Sequence, residues 1–163
     1  MIEVNARNIG KALALKSAYI GLVLAYLICA IDFYSWDVEL TKAIFWIYFS
    51  DFKWPVIMGA FGFLKISSFF GEKAGVSILI NGKNEFWTGI KTGLLVLIFG
   101  GIFGCALSLV NGIIMDMKFD SISFFMYFLV PLMWILFFGT LPAIIVGFIF
   151  GYQVKSKDFV SVK

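Results

Sequence analysis

The side chains that carry most enzyme chemistry are scarce in this 163-residue chain, which contains no histidine. That removes the usual general base, the commonest metal ligand and the usual proton shuttle. Two cysteines, Cys29 and Cys105, are too few for a structural zinc site without other ligands and form no CxxC redox pair. Both fall in the outer halves of parallel apolar stretches, where they are either neighbours or small packing residues. No glycine-rich phosphate loop follows a strand, and no serine sits in a nucleophile elbow. Ionisable residues deep in an apolar segment would mark an ion or substrate path. Asp32 is the one acidic candidate, a turn from the outer end of its segment, either solvated or paired with Lys53. Lys65 and Lys91 lie near segment ends, where a long stem carries the charge to water. No continuous polar track results. The chain is therefore expected to be non-enzymatic, with no catalytic residue, cofactor or metal.

The elements that position these residues follow from composition. The sequence is 61% hydrophobic and 14% charged, with a mean hydropathy of +0.98. Soluble domains hold about 45–50% apolar and about 25% charged residues. An all-α integral membrane protein of one domain, residues 1–163, is expected. The net charge of +3 is too small and dispersed for direct nucleic-acid binding. Thr88–Ile114 is the central stretch, with no charge from Thr92 to Val110. About 20 apolar helical residues cross the roughly 30 Å hydrocarbon core, so it is long enough to span.

Four transmembrane helices are expected, at about 17–36, 54–71, 88–114 and 134–153. Residues 1–16 read as a short amphipathic helix on the membrane surface. Ala43–Ser50 is aromatic and too short to cross, which predicts a short interfacial helix in the first outer connection. Pro55 suits the first turn of the second span. The last apolar run, Ser121–Gln153, is interrupted by Pro131 and Pro142, which predicts a Pro-broken fourth helix with its break near Gly139–Pro142.

Small residues recur every fourth position on three spans: Ser17, Gly21, Ala25 and Cys29; Gly100, Gly104, Ser108 and Gly112; Gly139, Ala143, Gly147 and Gly151. In lipid such a line lets another helix's backbone approach closely, so these twelve are the expected helix-packing residues.

Basic residues set the expected orientation. With both termini in the cytoplasm, ten basic side chains stand against four acidic ones on that side, a net +6. The opposite face holds three basic and six acidic, a net −3. The candidate partner contacts lie on that face: Asp37, Glu39, Trp46, Asp51, Lys53, Trp54, Asp116 and Lys118. Interfacial anchoring accounts for the same aromatic and charged residues. A faint internal echo joins Trp54-Pro55-Val-Ile-Met-Gly59 to Leu141-Pro142-Ala-Ile-Ile-Val-Gly147. It arises either from duplication of a helical hairpin, as in some transporters, or from chance likeness among apolar segments.

In size, hydrophobicity and short outer loops the chain resembles the small four-helix inner-membrane proteins that give immunity or exclusion. These are the colicin immunity, plasmid entry-exclusion and phage superinfection-exclusion proteins. Its twelve lysines to one arginine fit the AT-rich coding DNA common in prophages. The resemblance implies a bacterial inner-membrane protein, either monomeric or homo-oligomeric, that blocks an incoming agent by contact in the bilayer. The partner would be a phage or toxin channel protein, or a host inner-membrane protein. A small transporter or channel component, or an assembly factor for a membrane complex, is the alternative.

Overall fold

The computed structural model describes residues 2–35, 39–45, 47, 50, 51, 53–117 and 119–157. Its elements in chain order are α1 (Ile2–Ser35), α2 (Leu40–Ile44), α3 (Lys53–Leu79), α4 (Glu85–Asp116), α5 (Ser121–Phe124), a π-helical turn (Phe125–Leu129) and α6 (Val130–Ser156). Among the described residues there is no strand. Four helical stretches, Glu3–Ile31, Lys53–Leu79, Glu85–Met115 and Ser121–Ser156, are long and apolar enough to cross a membrane. The chain is a multi-pass membrane protein.

Local chemistry sets the helix boundaries. The Asn84 side chain accepts hydrogen bonds from the Phe86 and Trp87 amides at 3.0 and 3.1 Å, capping α4. Asp120 caps α5 in the same way, accepting from the Ser123 amide at 2.8 Å. Between α3 and α4 the chain turns at Gly82, whose φ of 62° lies in the left-handed region open to glycine. The Tyr26 hydroxyl donates to the Ile44 carbonyl, which folds α2 back along α1.

Two expectations meet a different structure. Residues 2–16 form no separate surface helix but continue α1 without interruption. Ala6, Gly10, Ala14 and Ala18 recur every fourth residue along its first half and are buried, so this face packs on protein. The fourth helix is not broken at Gly139–Pro142, because α6 runs straight through Pro142. The missing amide frees one carbonyl of the preceding turn, which a membrane helix tolerates where neighbours cover it. The irregularity falls earlier, at the π-helical turn, where the Tyr127 ring lies over Gly112.

Two helix pairs cross with their backbones almost touching, and they are the same crossing built twice. On α1 and α3, a Cβ added to Gly10 would lie 2.8 Å from the Gly75 Cα and closer still to the Gly71 carbonyl. On α4 and α6, a Cβ added to Gly89 would lie 2.9 Å from the Gly151 Cα and closer still to the Gly147 carbonyl. Adding 79 to α1 numbers and 76 to α3 numbers converts the first set into the second: Gly10 to Gly89, Gly71 to Gly147, Gly75 to Gly151. The same shift carries Pro55 to Pro131, Gly21 to Gly100, Ala25 to Gly104 and Cys29 to Ser108. The protein is thus two antiparallel hairpins, α1–α3 and α4–α6, of one design.

How the hairpins meet fixes the symmetry. Ile78 and its counterpart Val154 are 1% and 0% exposed and share one cluster with Ala14, Ala74 and Phe150. Phe150 is in turn the counterpart of Ala74. Residues packed beside their own counterparts lie next to a rotation axis. The hairpins are therefore related by an approximate two-fold running along the helices, with α1 parallel to α4.

Candidate functional site

The two-fold is obeyed at one end of the bundle and broken along the rest. It creates two inter-hairpin seams, α3 against α4 and α6 against α1. The first is closed along its length, while α6 and α1 meet chiefly near Ala14, Phe150 and Val154. Beyond that point the helices part, leaving an apolar groove of about 340 Å³ that opens sideways from the bundle.

Each wall of the groove comes from a small-residue stripe or its neighbours. From α1 come Ala14, Ser17, Ala18, Gly21 and Ala25, and from α6 come Gly139, Pro142, Ala143, Val146 and Gly147. Phe63 and Ser67 of α3, with Thr92, Gly93, Val96 and Leu97 of α4, form its floor. Small side chains leave the volume empty, and the parted helices leave it accessible. Two of its three hydroxyls are turned to the backbone: Ser67 donates to the Ala14 carbonyl at 3.2 Å and Thr92 to the Thr88 carbonyl at 2.7 Å. Those bonds satisfy the donors internally, so the lining offers contact surface more than hydrogen-bonding capacity.

The stripes therefore divide between tasks. Ser17, Gly21 and Ala25 line the groove with Gly139, Ala143 and Gly147. Gly147 and Gly151 also form the backbone-close crossing with α4. Gly100 lies under the Phe63 ring, and Gly112 faces Tyr127. A Cβ on Gly104 would meet nothing within 4 Å, whereas a Cβ added to Gly59 across the closed seam would lie 3.9 Å from the Gly104 Cα. Cys29 is half-buried and Cys105 buried, and no disulfide joins them.

The candidate outer contacts are spread around a rim. Glu39 is exposed and pairs with Lys42 at 3.3 Å. Asp51 is exposed, and its backbone carbonyl accepts from the Asn111 side-chain Nδ2 at 3.3 Å, which ties the first connection to α4. Lys53 and Trp54 are exposed at the start of α3. Asp37, Trp46 and Lys118 lie outside the described residues, as does the side chain of Asp116.

Sequence reasoning missed Ala6, Gly10, Ala14, Gly71, Gly75, Gly89 and Gly93, which make the two tight crossings. Their signal was the same spacing of four, but lysines, glutamates and asparagines beside them mimic a surface. Lys11 in fact spans that crossing, 3.2 Å from Glu72. Its second-hairpin counterparts, Ile90 and Phe148, are apolar, and Phe148 stacks on Phe86 with ring centroids 4.5 Å apart.

The fold and groove define a class: a small four-helix membrane protein made of two repeated hairpins around an apolar, sideways-open groove. Among protein-family models, curated proteins and solved structures, none matches the chain.

Proposed function

We propose that the protein acts by contact within the bacterial inner membrane, blocking an incoming agent. The agent is the DNA-entry apparatus of a superinfecting phage, a pore-forming colicin or a conjugating plasmid. The observation that carries this reading is the apolar groove between α1 and α6, two helices long and apolar enough to cross a membrane. A hydrophobic segment entering the bilayer can be held there by small-residue packing, which is how helices associate without a hydrophobic driving force. Both termini face the cytoplasm, following the bias of basic residues, and the aromatic segment Ala43–Ser50, which α2 overlaps only at Ala43 and Ile44, lies along the outer interface. The outer rim, with Glu39, Asp51, Lys53 and Trp54, meets the agent first and selects it.

The test is expression in a sensitive host, followed by challenge with phages and colicins and by assays of DNA entry. Protection that disappears when the groove is filled supports the reading. Absence of protection at good expression, across the whole panel, would sink it.

A second reading is a small transporter of apolar solutes. The repeat itself favours it, since transporters built from parallel repeats place their sites where the repeats meet near mid-membrane. Altered uptake of a small apolar solute, with no protection in the challenge, would select this reading instead.

A further inference from the structure

The broken two-fold identifies what the groove is shaped to hold. In the closed seam, the Phe63 ring covers Gly100, where an added Cβ would sit 2.6 Å from a ring carbon. The repeat shift turns Phe63 into Gly139 and Gly100 into Gly21. At the open seam glycine therefore stands on both sides, and a Cβ on Gly21 would meet nothing within 4 Å. The neighbouring pair is exchanged as well: Ala18 of α1 corresponds to Leu97 of α4, whose tip lies 2.6 Å from where a Gly139 Cβ would be. The groove is the Phe63 seat without its ring.

We infer that the groove is a seat for an aromatic side chain carried on a membrane-spanning helix of another protein. This rests on the reading that the groove receives a membrane segment, and it names the chemistry of that segment. Three observations support it. The groove continues, around the two-fold, an interface that is already closed by an aromatic residue on a helix. Its walls carry Ser17, Gly21 and Ala25 opposite Gly139 and Ala143, so a helix backbone can come close enough to insert a ring. An acyl chain gains little from leaving equally apolar lipid for the groove, whereas a helix gains packing contacts that lipid does not supply.

The test uses the full chain, with a donor fluorophore fused after Lys163, in vesicles of phosphatidylethanolamine and phosphatidylglycerol. The probes are acceptor-labelled, lysine-flanked Leu/Ala transmembrane peptides with one central Phe or one central Leu. The Phe peptide should reach half-maximal energy transfer at about fivefold lower peptide-to-lipid ratio than the Leu peptide, the size of an aromatic packing contribution. Gly21→Leu should erase the preference, since its side chain enters the groove unobstructed. So should Leu97→Ala with Gly139→Phe, which rebuilds the Ala18 and Phe63 pair of the first hairpin. Helicity by circular dichroism and a single gel-filtration peak confirm that both variants are folded. Equal transfer from the two peptides, or none, overturns the inference. So does transfer between two labelled copies of the protein that Gly21→Leu abolishes, which would make the occupant a second copy. A spin-labelled lipid immobilised in the groove and not displaced by the Phe peptide would make it lipid, and overturns the inference equally. A Phe preference without any protection in the host removes the exclusion reading and leaves the seat. Protection unchanged by Gly21→Leu does the reverse.

Discussion

Gly75→Ala and Gly21→Ala are the same chemical change placed at opposite extremes of space. A Cβ at position 75 would lie 3.0 Å from the Gly10 Cα and 3.1 Å from the Gly10 nitrogen, and closer still to the Ala6 carbonyl. All three are backbone atoms, so no rotamer change can relieve the contact. The helices must part by about 1 Å, and overpacking of this kind costs about 1–3 kcal/mol. Parting also weakens contacts along the crossing, since a gap of about 0.5–1 Å forfeits a quarter to a half of each dispersion well. Against this, alanine is the better helix former, by up to about 1 kcal/mol in water. A net loss of about 2 kcal/mol is expected for Gly75→Ala, allowing for these opposing terms. Gly21→Ala keeps only the favourable term, because nothing lies within 4 Å of its Cβ. The assay is reversible unfolding of the purified protein in mixed micelles by increasing SDS, followed by circular dichroism. Gly75→Ala should shift the midpoint down, and Gly21→Ala should leave it unchanged or raise it. Coincident midpoints would show that the backbone-close crossing does not govern stability, and the repeat argument would lose its energetic basis.

Gly151→Ala should cost as much as Gly75→Ala within about 0.5 kcal/mol in the same titration, because the repeat places it against Glu85 and Gly89 as Gly75 lies against Ala6 and Gly10. Replacing both Lys11 and Glu72 by Met should change stability by less than about 1 kcal/mol, since their side chains are 48% and 34% exposed and such pairs contribute little. A reporter fused after Lys163 should signal from the cytoplasm, and a periplasmic signal would reverse the proposed orientation. Co-expressed halves, cut between Asn81 and Gly82, should assemble and co-purify, because each carries its own complete crossing; halves that never associate would mean the α3–α4 seam cannot form without the connection.

The membrane class and the four long helices were legible because they depend on composition and run length, which no tertiary contact alters. Helix ends were harder. The first span was expected from Ser17, but Arg7, Lys11 and Lys16 sit beside Ala6, Gly10 and Ala14 on a helix continuous from Ile2. Polar residues therefore flank a buried face and disguise it. The groove's walls were partly legible, since Ser17, Gly21, Ala25, Gly139 and Ala143 all belong to stripes visible in the sequence. Which stripe faces a partner and which faces empty space was not. That depends on the residue across the seam, as with Phe63 over Gly100 and Gly139 beside Gly21.

The internal echo shows why spacing alone misleads in apolar sequence. Pairing Pro55 with Pro142 matches a local string, yet the crossing pairs Pro55 with Pro131, eleven residues earlier. Any apolar segment aligns tolerably with any other, so a string match of six residues carries little weight. Backbone contact is more demanding: Gly10, Gly71 and Gly75 must all be glycine, in one register, for carbonyl and Cα to approach as they do. Gly89, Gly147 and Gly151 meet that demand at a single shift for each helix. The constraint then relaxes away from the crossing, where Phe63 and Ala18 in one hairpin become Gly139 and Leu97 in the other. Stability thus resides in the conserved geometry of the two crossings, whereas the open seam is free to specialise. A duplicated hairpin gains a binding groove most simply by losing one ring from one of its two equivalent interfaces.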